Sequence, residues 1–130
     1  MDIEYQVESA RPFADVVADI EKLTAEKQFR VLHIHDVQAT LAEKGFKREP
    51  LKIIEICNAK FAHQALQKDM LVSIFLPCKI NVFTEHGKTR IKAMRPAAIS
   101  QFMPQSGLEE IAGEVDAIVT DIVDRAARGR

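Results

Sequence analysis

The chain has no tryptophan, a single tyrosine and only two cysteines among its 130 residues. With aromatics at 6% and a net charge of −1, it lacks both the stacking platforms and the basic surface that nucleic acid demands. Two cysteines in a reducing compartment are free thiols, ligands or transient redox groups rather than structural cross-links. The longest apolar run, Met70 to Leu76, falls far short of the roughly 20 residues that span a bilayer. The opening Met1-Asp2-Ile3-Glu4 has neither the basic nor the apolar region of a secretory signal. The expectation is a cytoplasmic chain that binds neither membrane nor nucleic acid. No Gly-rich phosphate loop is present, since Gly87 and Gly107 stand alone at turn positions, and no Gly-x-Ser-x-Gly elbow appears. Linkers, repeats and low-complexity tracts are also missing, so residues 1–130 read as one domain. Hydrophobic residues make up 47% of it and charged residues 28%, enough to bury a core without staples.

The pattern of what is present mixes two periods. Ile3 to Val7 alternates like a strand. Ser9 and Pro12 mark a helix start, and Phe13, Val16, Val17, Ile20 and Leu23 follow at helical spacing to about Lys27. Phe29 to His35 reads as a strand with Val31, His33 and His35 on one face and Leu32 and Ile34 on the other. Asp36 caps a short helix from Val37 to Lys44 that stops at Gly45, and Leu51 to Ile56 is a β-branched strand. Asn58 caps a helix from Ala59 to Lys68 with Phe61, Ala65 and Leu66 facing inward. Leu71 to Leu76 reads as a buried strand broken at Pro77. Lys79 to Thr84 and Thr89 to Met94 form a hairpin in which Gly87 supplies the positive φ. Ala97 to Phe102 is a short helix closed by Pro104. Ser106-Gly107-Leu108-Glu109 is a capping-box pattern that opens a final helix, with Leu108, Ile111, Val115, Ile118, Val119 and Ile122 on one stripe. Helices mixed with a consecutive hairpin predict an α+β fold.

The thiols lie in distinctive contexts. Cys57 follows Glu55-Ile56 at a strand end and precedes the Asn58 cap, where free amides and the helix dipole favour an anion and lower a thiol pKa. Glu55, two residues back on the same strand face, acts the other way, or serves as a general base, or pairs with Lys79 or another cation. Cys78 follows Leu76-Pro77. The one helix and one strand read between the cysteines can return the chain close to its start. Three readings stand: two small buried hydrophobes, a soft-ligand pair for a metal or a haem-like cofactor, or a redox or sulfur-transfer pair. The spacing is not Cys-x-x-Cys, and none of these motifs assigns a reaction.

His33 and His35 share a strand face about 6–7 Å apart along the chain, a chelating arrangement and equally the pattern of a solvent-facing strand. His63 lies on the helix after Cys57, and His86 at a hairpin tip. A tetrahedral site would need Cys57 and Cys78 joined by two of His33, His35 and His63.

Val31-Leu32-His33-Ile34-His35-Asp36-Val37, Glu55-Ile56-Cys57-Asn58-Ala59-Lys60, Leu76-Pro77-Cys78 and Val82-Phe83-Thr84-Glu85-His86-Gly87-Lys88, in this order and spacing, resemble the domain of unknown function 302 family in its two-cysteine type. The resemblance covers nearly the whole chain, and its specific parts are the Cys-Asn and Leu-Pro-Cys elements. It implies a small α+β domain grouped with TATA-binding-protein-like folds, a β-α-β(4)-α arrangement with extra helices and an antiparallel sheet packed against helices. It also implies homodimers and no established biochemical activity; a fold label does not carry DNA binding with it. The resulting expectation is a homodimeric module that binds a soft metal, haem-like cofactor or small ligand near Cys57 and Cys78, with Asn58 as a further cofactor contact and His33 and His35 as further metal ligands. The alternatives are a thiol-active redox or sulfur-carrier protein, with Cys57 attacking, Cys78 resolving and Glu55 modulating, and a structural, partner-binding scaffold.

Overall fold

In the computed structural model, which describes residues 2–129, alternation of apolar and polar side chains organises one five-stranded antiparallel sheet. The strands are β1 (Glu4–Ser9), β2 (Arg30–Asp36), β3 (Leu51–Cys57), β4 (Cys78–Glu85) and β5 (Lys88–Met94), in the spatial order β1-β5-β4-β3-β2. The helices are α1 (Phe13–Glu26), α2 (Val37–Ala42), α3 (Ala59–Lys68), α4 (Pro96–Phe102) and α5 (Glu109–Arg128). Without α2 to α4, the order is the expected β-α-β(4)-α.

Ile54, Ile56, Ile80, Val82 and Ile91 point from the three central strands to one face and are fully buried. Each such side chain contributes about 1.5–3 kcal/mol of burial. The apolar stripes of α1 (Val16, Ile20, Leu23) and α5 (Val119, Ile122, Val123) cover them in a single cluster. Pro12 precedes the first turn of α1, where its missing amide donor costs nothing. The C-terminal end of α5 is tied to β1 and the segment after it. Tyr5 Oη donates to Asp124 Oδ1 at 2.6 Å, Ser9 Oγ to the Ala127 carbonyl at 2.8 Å, and Arg11 Nη1 to the Ala126 carbonyl at 2.6 Å.

A second, smaller cluster of Ala65, Val72, Ile99, Met103 and Leu108 lies beside the main one, with Leu66, Phe75 and Leu76 packed on it. It gathers side chains from α3, α4, the start of α5 and a 3-10 helix, Met70–Ile74. That 3-10 helix corrects the expected strand Leu71–Leu76. Asp69 caps it by accepting from the Leu71 amide at 2.9 Å, and a short apolar run has no period of its own to oppose that turn. The expected capping box at Ser106 is also corrected. α5 begins at Glu109 without a side-chain cap, and Ser106 Oγ instead donates to Asp69 Oδ2 at 2.5 Å, tying the 3-10 helix to the segment before α5. The turn Glu85–Lys88 places both His86 (φ 54) and Gly87 (φ 77) in the left-handed region, as a two-residue type I′ loop requires.

In β2 the pairing with β3 shifts between Val31 and His33, so two residues occupy the place of one. Val31 and Ile34 therefore both pack on the core, whereas Leu32, His33 and His35 are exposed. The expected face shared by Val31 with the histidines is corrected accordingly.

Asp116 of α5 is buried and fixes α4. Its carboxylate accepts from Arg95 Nη2 at 2.9 Å, from Arg95 Nε at 3.3 Å and from the Ala97 amide at 3.1 Å. Asp116→Ala removes the acceptor of a charged guanidinium and of a helix-end amide, so unfolding in urea is expected to show a loss of about 3 kcal/mol. A loss under about 1 kcal/mol would mean that α4 is anchored by apolar contacts alone.

Candidate functional site

β3 and β4 pair antiparallel with Ile56 opposite Cys78. The excursion between the cysteines thus returns to its start, as expected, and Cys57 stands one residue beyond Cys78's partner. Strand alternation places the two residues on opposite faces. Ile54 and Ile56 face the core, so Cys57 follows Glu55 to the other side, whereas Cys78 shares the inner side of Ile80 and Val82. Both cysteines are free and partly buried, and Cys78 packs against the main core. The Leu76–Pro77 peptide just before Cys78 is cis.

Both residues border one cavity of about 60 Å3 at the seam between the two apolar clusters. Cys57 reaches it because β3 ends there and the chain turns towards α3. Phe29, Ile56 and Val115 wall it from the main core, and Val72, Ile99 and Leu108 from the smaller one. No Asp, Glu, Lys, Arg or His is among the lining residues. The volume matches about two water molecules, or roughly two to three carbon atoms at the packing of benzene in a 150 Å3 cavity. It does not fit a haem.

At Cys57 the opposing effects are settled by burial. Its sulfur does gain from the Asn58 amide, which favours the thiolate, but burial outweighs that bond and its pKa is raised. Burial pushes Cys78 further, to about 11, with the neighbouring Cys57 adding to the rise and Lys79 opposing it. Both groups are therefore neutral thiols near pH 7.

Of the other candidates, Asn58 also borders the cavity, whereas Glu55, His33, His35 and His63 do not. Asn58 caps α3 as expected, with Oδ1 accepting from the Phe61 amide at 3.0 Å and Nδ2 donating to the Gln28 carbonyl at 2.9 Å. Its side chain is committed at both ends and supports Gln28 in its left-handed conformation (φ 64). Glu55 is on the sheet face away from Cys78, between His33 of β2 and Lys79 of β4 in register, and its Oε2 lies 3.2 Å from His35 Nε2. The rings of His33 and His35 meet edge to face, 4.4 Å apart. His63 is exposed on α3 and is not in the cavity wall. Among the described residues, no three His, Cys, Asp or Glu side chains are gathered where one ion could hold them. The histidines and thiols are thus not brought into one ligand shell. The sequence reading did not single out Phe29, Ala62, Ile111 or Ala112 as site residues. Their only signal is helical or strand periodicity, which core and cavity wall share.

The domain of unknown function DUF302 matches residues 5–126, and the chain belongs to that family. A crystal structure of an uncharacterized conserved DUF302 protein from Bacillus stearothermophilus has 30% sequence identity to it and a TM-score of 0.90, covering 97% of this chain and 99% of that one. That likeness bears out the α+β architecture. No curated protein matches. No helix among the described residues is long and apolar enough to cross a membrane.

A thiol-selective reagent at pH 7 is expected to modify Cys57 before Cys78, and both more slowly than free cysteine, since the thiolate is the reacting form. The same shift links to stability. The unfolded thiol of Cys78 ionises near its ordinary 9.0 and the folded one near 11, so the stabilisation is complete below pH 9 and is lost as pH climbs to about 11. Native labelling at pH 7 faster than free cysteine, or stability that does not fall across that window relative to Cys78→Ala, would contradict the burial argument.

Proposed function

We propose that this protein is a binding module whose ligand places a small apolar group in the cavity at Cys57 and Cys78. One observation carries the reading: an uncharged cavity lies at the seam of two clusters, with both thiols on its wall and both held neutral. Ligand pockets combine apolar walls with few polar groups. A nucleophilic or sulfur-carrying role asks instead for a thiolate near neutrality, which burial opposes at both cysteines. A soft metal would have to displace two such protons, and among the described residues no third His, Cys, Asp or Glu joins the two thiols.

The module is read as a homodimer that uses the outer face of the sheet. Leu51 and Phe83 stand there as partners across β3 and β4, beside the pair Ile53 and Asn81, whose buried Oδ1 has no hydrogen-bond partner within the chain. Half-buried apolar side chains around an unsatisfied acceptor suit a self-complementary contact. Light scattering is expected to give the mass of two chains, and of one chain for Phe83→Glu with unchanged circular dichroism. A monomeric wild type at tens of micromolar removes the dimer from the reading.

The binding reading is tested with fragments that each carry an apolar group of two or three heavy atoms, followed by methyl NMR. Hits are expected to shift Ile56, Val72, Ile99, Leu108 and Val115, and Ala112→Leu, which fills the cavity, is expected to abolish them while leaving the fold at least as stable. If no fragment reaches these methyls, the reading fails. A stoichiometric metal in anaerobically purified protein, lost in the double Cys57→Ser, Cys78→Ser variant, would replace it with thiolate ligation.

A further inference from the structure

A polar groove of about 560 Å3 runs beside the cavity, between α3 and α5. Phe61 and Ile111 line both spaces, so the apolar cavity and the polar groove share a wall. Along α3 the groove carries Lys60, Gln64, Gln67 and Lys68, and along α5 it carries Glu110 and Glu114. Residues four apart stand on one helix face, so Lys60, Gln64 and Lys68 form one row and the two glutamates another. Two ammonium groups on one wall thus oppose two carboxylates on the other. Among the described residues none of the four has an ion-pair or hydrogen-bond partner. The opposed charges stay apart across the groove instead of neutralising one another.

We propose that the ligand of this module is a small zwitterion with a short aliphatic side chain, of the chemical class of valine. The inference rests on the binding reading above and adds the ligand's polar half. A free cation or anion gains little in a groove whose walls carry two charges of each sign, because attraction to one wall is offset by repulsion from the other. A zwitterion satisfies both walls: its carboxylate faces Lys60 and Lys68, and its ammonium faces Glu110 and Glu114. The side chain has to enter the cavity between Phe61 and Ile111, the two side chains that border both spaces. That cavity accepts roughly two to three carbons, with an isopropyl group as the upper limit, and the absence of charge from its lining rejects a charged side chain. The gap-spanning contacts are solvent-exposed, so the affinity is modest.

The test uses the whole chain and L-valine, with binding followed by calorimetry and NMR. Valine is expected to shift Phe61, Ile111 and Val115 together. 3-Methylbutanoate lacks the ammonium group and 2-methylpropan-1-amine lacks the carboxylate, and each is expected to bind at least tenfold more weakly. L-Lysine and L-phenylalanine, whose side chains are charged or too large, are expected to be excluded. The paired variants Lys60→Gln, Lys68→Gln and Glu110→Gln, Glu114→Gln alter exposed positions, and each is expected to weaken valine at least tenfold without changing the unfolding midpoint. Two results overturn the inference: no binding of valine, or affinities within twofold across the charge variants and single-charge analogues. If other fragments reach the cavity methyls while valine does not, the binding module stands and only the zwitterion falls. If nothing reaches them, both fall.

Discussion

The register between β3 and β4 is the constraint on which the rest of the molecule depends. Ile54 lies opposite Ile80, and Ile56 opposite Cys78. A slip of one residue in either strand would turn its isoleucines to the outer face and bring Glu55, or Lys79 and Asn81, into a core that holds no partner for them. Burial of the isoleucines thus specifies the pairing more strongly than any turn does. Cys78 inherits its place from this register, and its neutral state follows from that place. Glu55 inherits the opposite face, and with it the company of His33 and His35 rather than of the inner thiol.

The site exists because the molecule packs two clusters rather than one. The sheet, α1 and α5 make the larger, and α3, α4 and the 3-10 helix make the smaller against the start of α5. The shapes of the two clusters are set by different constraints. The larger follows the pleat of the strands. The smaller is held by polar ties, Asp116 to Arg95 and Ala97 on one side and Asp69 to Ser106 on the other. Ser106 also holds the Asp69 carboxyl below its usual pKa range, with the Leu71 amide acting in the same sense. Two packings that meet on these terms need not interdigitate fully, and the seam keeps a space that a single cluster would fill.

The sequence was most legible where periodicity was long or a residue had only one conformational use. The segments of β3, β4 and β5 were readable as strands, the stripes of α1 and α5 gave the covering layer, and Asn58 was readable as a cap, its side-chain oxygen accepting from the third residue of the helix. The hairpin was legible at Gly87, although His86 shares its positive φ. Legibility failed where a tertiary partner decided the outcome. Ser106 matched a local capping pattern, but Asp69, distant in sequence, took its hydroxyl. Met70–Ile74 was apolar enough for a strand, and the cap at Asp69 turned it into a helix. The extra residue in β2 left no local mark, since Val31-Leu32-His33 alternates plausibly through it. The candidate site was half legible: its cysteines were found from their contexts, but the Phe61 and Ile111 wall was not, because an apolar side chain beside a cavity has the same sequence as one inside a core.

The thiols show how context and burial compete, and why the winner matters for function. A cysteine before a helix cap is placed to be a thiolate, and the Asn58 amide does act on Cys57 in that sense. The effect of one amide is limited, whereas removing part of a sulfur from water disfavours its charged form whatever bonds remain. At Cys78, far more enclosed, the balance is not close. Chemistry that begins from a thiolate therefore starts at a disadvantage at both positions, and so does metal ligation, which requires both protons to leave. Binding an uncharged group requires neither. A neutral thiol is a small polarizable hydrophobe, and two of them at the seam make a wall suited to dispersion contact, while the charges that would hold a polar ligand stand outside, on α3 and α5. The cavity and groove divide between them what a small amphiphile needs, and the neutrality of the cysteines is what keeps that division sharp.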